Sequence, residues 1–309
     1  MGSRTSNDAW PDPMAFVFAL GAGLCYAIAS VFQHRVAAAA PEHMSLRPRL
    51  LIELFRHPMF LFGIGLDIGA YFLEAAALSV GSIVLVQTLL VTGLLFALPL
   101  SAIGRTVRPG RSEWVSAAAL AVGIAVFLAV GEPIGRSGSA TGWEWVLGFG
   151  FCLSIALVMI VVTRDAQPHN RALGLAVATG ACYACTAALT KQVVDILGHH
   201  SFAHLFLRWP VYALAVFSVM GLLLNQSAFN AGHLAASLPA LAVTNPILSS
   251  FLGIFLFEEH LKAHGVLQYL IVAGAVLVML GGVIRLARSP FVAGEDDALG
   301  HPPVTPAGP

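Results

Sequence analysis

Asp67 and Glu74 are two carboxylates inside one apolar stretch. Seven residues separate them, which is two helical turns, so on a helix they share a face. An ionised carboxylate buried in a bilayer costs about 3 kcal/mol or more unless it is paired or hydrated. Such a pair suits a proton or, with further oxygen ligands, a divalent cation. The competing reading is a protonated or locally hydrogen-bonded structural acid. Gly65 and Gly69 bracket Asp67 in a G-x-x-x-G spacing that favours close helix contact.

Amides form a second group. Asn225, Gln226 and Asn230 crowd the end of another apolar run, and Gln226 and Asn230 are four apart on one face. They suit a cation or a polar solute, and they equally suit bonds between helices. Pro239 and Pro246 interrupt a further run. Pro246 cannot donate to the carbonyl of Ala242, and backbone groups freed in a membrane need protein or a wet cavity to satisfy them. Thr244 and Asn245 sit at that expected break, which is a binding site, a hinge or a packed kink. Gln87, Thr88 and Thr92 are candidates to line a cavity.

The candidate substrate site is therefore Asp67, Glu74, Gln87, Gln226, Asn230, Thr244, Asn245 and Pro246, with Asp67 and Glu74 as candidate metal ligands. Lys191 and Asp195 are four apart and can pair, or reach the interface as snorkelling side chains. His199, His200 and His204 form a small cluster without an accompanying carboxylate or cysteine. Cys25, Cys152, Cys182 and Cys185 all lie in apolar runs and read as small buried hydrophobes. No G-x-x-x-x-G-K-[ST] run supports a nucleotide-driven pump, and no cofactor is expected.

The elements that carry these residues are membrane helices. Of 309 residues, 58% are hydrophobic and 10% charged, against roughly 25% charged in soluble domains. The net charge is zero, so no nucleic-acid partner is expected. The expected partners are the lipid bilayer and a small-molecule or ion substrate, with a homodimer left open. A bilayer core needs roughly 20 apolar residues of helix. Nine runs qualify: 14–38, 58–80, 81–103, 113–131, 143–163, 170–195, 206–230, 233–257 and 264–286. The first is too long for a signal-peptide core and reads as a retained helix. Only Val80-Gly81-Ser82 separates the second from the third, and Ala231-Gly232 the seventh from the eighth, so each pair is a tight hairpin.

Ten arginines fall on one side of this arrangement and four Lys or Arg on the other. The positive-inside rule then puts the N-terminus outside and the C-terminus in the cytoplasm of a multi-pass plasma-membrane protein. Asp67 would lie about 14 Å and Glu74 about 24 Å from the inner face. The tail has five prolines and the run Glu295-Asp296-Asp297, and it is expected to be disordered.

The first and sixth spans echo each other. Ala19, Gly23, Cys25, Tyr26 and Ala27 match Ala176, Gly180, Cys182, Tyr183 and Ala184 at an offset of 157. Val91-Thr92 echoes Val243-Thr244. His34 stands at the Lys191 position. Spans 1–4 and 6–9 each carry a hairpin between their second and third members, and one intervening span inverts the second set. The organisation is an outer tail (1–13), a first repeat (14–131), a linker with the fifth helix (132–169), a second repeat (170–286) and a cytoplasmic tail (287–309). Inverted repeats recur in transporters, with the substrate site between the halves.

The stretch Asn225-Gln226-Ser227-Ala228-Phe229-Asn230, running into Leu241-Ala242-Val243-Thr244-Asn245-Pro246 and Leu256-Phe257-Glu258-Glu259, resembles a hairpin of the drug/metabolite transporter superfamily (EamA-like). Pro246 and Glu259 match its mid-helix proline and its acidic residue at the helix end. In the first half Gly93 and Arg105 stand near those places instead. The four-plus-one-plus-four count resembles the NIPA-like, magnesium-transporting branch. The resemblance implies an all-α fold of nine spans in two inverted repeats, and a secondary transporter of a polar metabolite or a divalent cation such as magnesium. Two other classes stay open. A membrane scaffold or accessory subunit would not need buried acids. A membrane-embedded enzyme would need paired catalytic side chains at an interface, and the short loops offer none.

Overall fold

The computed structural model describes residues 12–38, 48–102, 110–134, 140–199, 205–231, 234–262 and 265–287. The expected disordered tail, His200 and His204 lie outside the described residues. The chain forms α1 (Pro13–Ala38), α2 (Pro48–Leu54), α3 (Pro58–Val80), α4 (Ile83–Leu90), α5 (Gly93–Ala102), α6 (Arg111–Gly131), α7 (Gly142–Thr163), α8 (Pro168–His199), α9 (Trp209–Ala231), α10 (Leu234–Phe257) and α11 (Val266–Ala287). Eight of these are long and apolar enough to cross a membrane, and the apolar stretch Ile83–Phe96 is shorter. Phe62, Phe72, Val162, Val216 and Leu267 are exposed on their outer faces. Helices apolar on the outside as well as the inside fit lipid, not water. The molecule is an all-α polytopic membrane protein.

Helix α8 is the buried centre. It presents Ala176, Ala178, Ala181, Cys182, Ala184, Cys185 and Ala188, all buried, and small side chains let neighbouring backbones approach. It packs against α7, α9, α10 and α3. The packing has a regular pattern. α1 meets α3 as α8 meets α9, and α1 meets α4 and α5 as α8 meets α10. α1 meets α9 and α3 meets α8, while α4 meets α10 and α6 meets α11. Two short strands, β1 (Pro133–Ile134) and β2 (His260–Leu261), pair antiparallel. They tie the segment after α6 to the segment after α10.

Three expectations change. The run 81–103 is not one helix. It breaks at Val91–Thr92, where Thr92 N bonds Leu89 O at 2.9 Å and Leu95 N bonds Thr92 O at 2.8 Å, three residues back and not four. The Thr92 hydroxyl donates to the same Leu89 carbonyl at 2.6 Å. The expected break at Pro246 is absent: α10 runs through Pro239 and Pro246 without interruption. A proline removes one helical bond, and α8 backs this stretch closely. A Cβ on Gly180 would lie 2.8 Å from Thr244 Cβ and 3.0 Å from Asn245 N. The equivalent contact at α1 sets a Cβ on Gly93 3.0 Å from Gly23 O. Finally, Gly65 and Gly69 are exposed, with nothing within 4 Å of a Cβ built there. The close contact belongs to Gly63, whose Cβ would meet Gln33 Cγ at 2.8 Å.

Candidate functional site

Helices α1 and α3 are antiparallel neighbours, and each carries polar residues seven apart. Tyr26 and Gln33 on α1 therefore meet Glu74 and Asp67 on α3, at two levels. At the first level Tyr26 Oη donates to Glu74 Oε2 at 2.8 Å, and Gln87 Nε2 donates to Glu74 Oε1 at 2.8 Å. Asn245 Nδ2 donates to Gln87 Oε1 at 3.1 Å, and Ser249 Oγ to Asn245 Oδ1 at 3.1 Å. At the second level Gln33 Nε2 donates to Asp67 Oδ2 at 2.5 Å, and Gln226 Nε2 to Gln33 Oε1 at 2.6 Å. Between the levels, Tyr71 Oη and Thr190 Oγ1 share a bond of 2.9 Å.

Both chains cross the molecule, the first from α3 through α4 to α10 and the second from α3 through α1 to α9. Gln33, Gln87 and Gln226 are at most 1% exposed, and Glu74 is 9% exposed. Hydrogen bonds in such surroundings are strong, and leaving them unmade is costly. Among the described residues, neither Asp67 nor Glu74 has a Lys, Arg or His at ion-pair distance. Tyr183 on α8 stands at the sequence position that matches Tyr26.

Five of the eight expected site residues thus fall in these chains: Asp67, Glu74, Gln87, Gln226 and Asn245. Asn230 is buried one turn beyond Gln226. Thr244 packs on Gly180, and Pro246 is half-buried beside Asn245. Thr88 turns its hydroxyl back to Val84 O at 2.7 Å, as Thr92 does to its own helix, so neither hydroxyl enters the chains. Among the described residues no three His, Cys, Asp or Glu side chains gather as a metal cluster. Sequence reasoning missed Gln33, Tyr71, Thr190 and Ser249 entirely, and it used Tyr26 only as a repeat match. The signal was there in the matched seven-residue spacings of Tyr26–Gln33 and Asp67–Glu74.

A separate constellation lies where α3 turns into α4. Glu259, 2% exposed, accepts from Ile83 N at 2.7 Å and Val84 N at 3.0 Å, capping the start of α4. Burial pushes its carboxyl above the ordinary range, while Lys191 and the two amides pull it back. Gly253 makes this fold-back fit, since a Cβ there would lie 2.6 Å from Glu259 Oε2. Lys191 Nζ donates to Gly81 O at 2.9 Å at the end of α3, and lies 3.9 Å from Glu259 Oε1. So Lys191 is buried against the α3–α4 turn and does not snorkel. Nearby, Trp145 stacks edge-on with Phe149, Trp209 and Phe257. A cleft of about 310 Å³ opens between α8 and α9, lined by Gln192, Asp195, His199, Arg208 and Trp209 among others.

The chain is 31% identical over 276 residues to an uncharacterized protein of Corynebacterium glutamicum, a match covering 89% of this chain and 95% of that one. No family model matches the chain, and no solved structure matches it.

Proposed function

We propose that this chain, which belongs to one family with the Corynebacterium glutamicum protein, is a secondary transporter that moves a small polar solute across the cell membrane. We read it as two inverted repeats of four spans, α1 with α3, α4–α5 and α6 against α8 to α11, joined by α7. The α4–α5 pair acts as one broken crossing, which makes nine. What supports the repeat is the packing: exchanging α1 with α8, α3 with α9, α4–α5 with α10 and α6 with α11 returns most of the same neighbours, while α7 packs on α8 and α10 alone among them. The matched close approaches of Gly23 and Gly180 agree with it.

The observation that carries the function is the pair of carboxylates, Glu74 buried and Asp67 half-buried, each tied through a glutamine to the other half. Glu74 reaches α10 through Gln87, and Asp67 reaches α9 through Gln33. A change of charge on either acid must rearrange bonds that hold the two halves together. That is the physical requirement for coupling a proton or ion to alternating access. A membrane scaffold gains nothing from two costly acids.

The donors around Glu74 favour a proton over a metal ion as its counter-charge. Both of its oxygens face hydrogen-bond donors, Tyr26 Oη and Gln87 Nε2, whereas magnesium demands oxygen ligands and keeps water. The test is purified protein in liposomes, with an imposed pH gradient and panels of polar metabolites and divalent cations. Uptake of at least one solute should exceed that of protein-free liposomes and collapse when the gradient is dissipated. Uptake of magnesium alone, indifferent to pH, would favour the cation reading.

A further inference from the structure

The second chain of bonds has a direction, and its free end lies in the site. An ionised carboxylate only accepts hydrogen bonds. Asp67 therefore takes the NH₂ of Gln33, Gln33 offers its carbonyl oxygen, and Gln226 must fill that with its own NH₂. This leaves Gln226 Oε1 at the end of the chain, fully buried and accepting no hydrogen bond from a described residue. A protonated Asp67 instead has a donor to give. Its hydroxyl would donate to Gln33 Oε1, the Gln33 amide turning over, and Gln33 Nε2 would donate to Gln226 Oε1. Gln226 would then end the chain with an NH₂. The two inner bonds are made in either direction, and only the group left open at Gln226 changes.

We propose that Asp67, Gln33 and Gln226 form a proton-read relay, in which Gln226 offers the solute an acceptor when Asp67 is ionised and a donor when it is protonated. This deepens the transport reading and rests on it. The solute class follows from the chemistry: a molecule presenting a donor-only N–H or ammonium group binds the ionised form and finds no acceptor in the protonated one. Proton and solute then exclude each other, which is the logic of exchange. Gln226 is placed to serve in this way because its amide lies on α9, across the interface from the acid it reads.

Few other charges compete for Asp67. On its own helix Glu74 lies two turns away. The phenols of Tyr26 on α1 and Tyr183 on α8 are within electrostatic reach. From α9 the polar group that reaches Asp67, through Gln33, is the amide of Gln226, which does not titrate.

The relay can be tested without knowing the solute, by infrared difference spectroscopy of the full chain in lipid nanodiscs. The protein carries glutamine labelled with ¹³C at the side-chain carbonyl, and the pH is stepped from neutral to acid. A protonated-carboxyl band should appear that is lost in Asp67→Asn. A shift of labelled glutamine carbonyls should accompany it and vanish in the same variant. Gln33→Leu should keep the carboxyl band and lose the part of the glutamine shift that Gln226→Leu also removes. An Asp67 band with unmoved glutamine carbonyls, or no Asp67 band across the range in which the wild type stays folded, would overturn the relay. These spectra contain no transport, so a failed relay beside active uptake, or a working relay beside none, tells the two ideas apart.

Discussion

Glu259 and Lys191 show how single residues close the turn between α3 and α4. Each has a backbone task and a weaker task toward the other. Glu259 caps α4 through two amides, Lys191 caps α3 through Gly81 O, and 3.9 Å separates their charges. Removing one member of a buried pair strands the other, which costs about 3–5 kcal/mol. Lys191→Met and Glu259→Gln should therefore each lower the unfolding temperature in detergent. The double variant should lose less than the two losses added; strictly additive losses would show that the two caps act independently. The sequence exposes some of these residues more readily than others. Asp67, Glu74, Gln87, Gln226 and Asn245 stand out because each is polar within an apolar run. Gln33 does not, because His34 and Arg35 follow it and the three read together as a polar helix end. Its seven-residue spacing from Tyr26 matches that of Asp67 and Glu74, and the pairing of α1 with α3 makes it the link between Asp67 and α9.

Helix starts and turns are legible in the chain. Pro58 opens α3, Ser82 caps α4 with its side chain accepting from Leu85 N at 3.2 Å, and Thr141 and Glu144 form a capping box on α7. Breaks within spans are not legible in the same way. Proline signals a missing bond, yet α10 absorbs Pro246. The actual break at Val91–Thr92 depends on a threonine turned back on its own helix and on the approach of Gly23, which no local pattern displays. Small residues mislead likewise, since the G-x-x-x-G pair lies on the exposed side while Gly63, Gly93 and Gly180 make the contacts. Gly180→Ala should push α8 from α10 and cost about 1–3 kcal/mol, seen as a lower unfolding temperature. Gly69→Ala, on an exposed helix face, should be neutral or should stabilise by up to about 1 kcal/mol. Equal effects of the two changes would contradict the assignment of the packed faces.

Across the whole molecule, the even spread of apolar residues and the cation asymmetry make a multi-pass membrane protein evident from sequence. The proposed grouping of spans into two halves rests on the contacts between helices. Orientation can be checked with cysteines placed in a cysteine-free background at Gly142, at the start of α7, and at Asp165, between α7 and α8. Both positions are exposed. Only the residue-142 cysteine should react with an impermeant thiol reagent in intact cells, and equal labelling would contradict the topology. The central claim is that the acids of α3 couple solute movement to a change of charge. The most direct measurement is pH-gradient-driven uptake into liposomes by wild type, Glu74→Gln and Asp67→Asn/Glu74→Gln, with the unfolding temperature of each protein recorded alongside. An amide at these positions can neither take up nor release the proton, so driven uptake should fall to the level of protein-free liposomes. The expected result is that fall with stability unchanged or raised, because a costly buried charge has been removed. Full uptake by the double variant would contradict it.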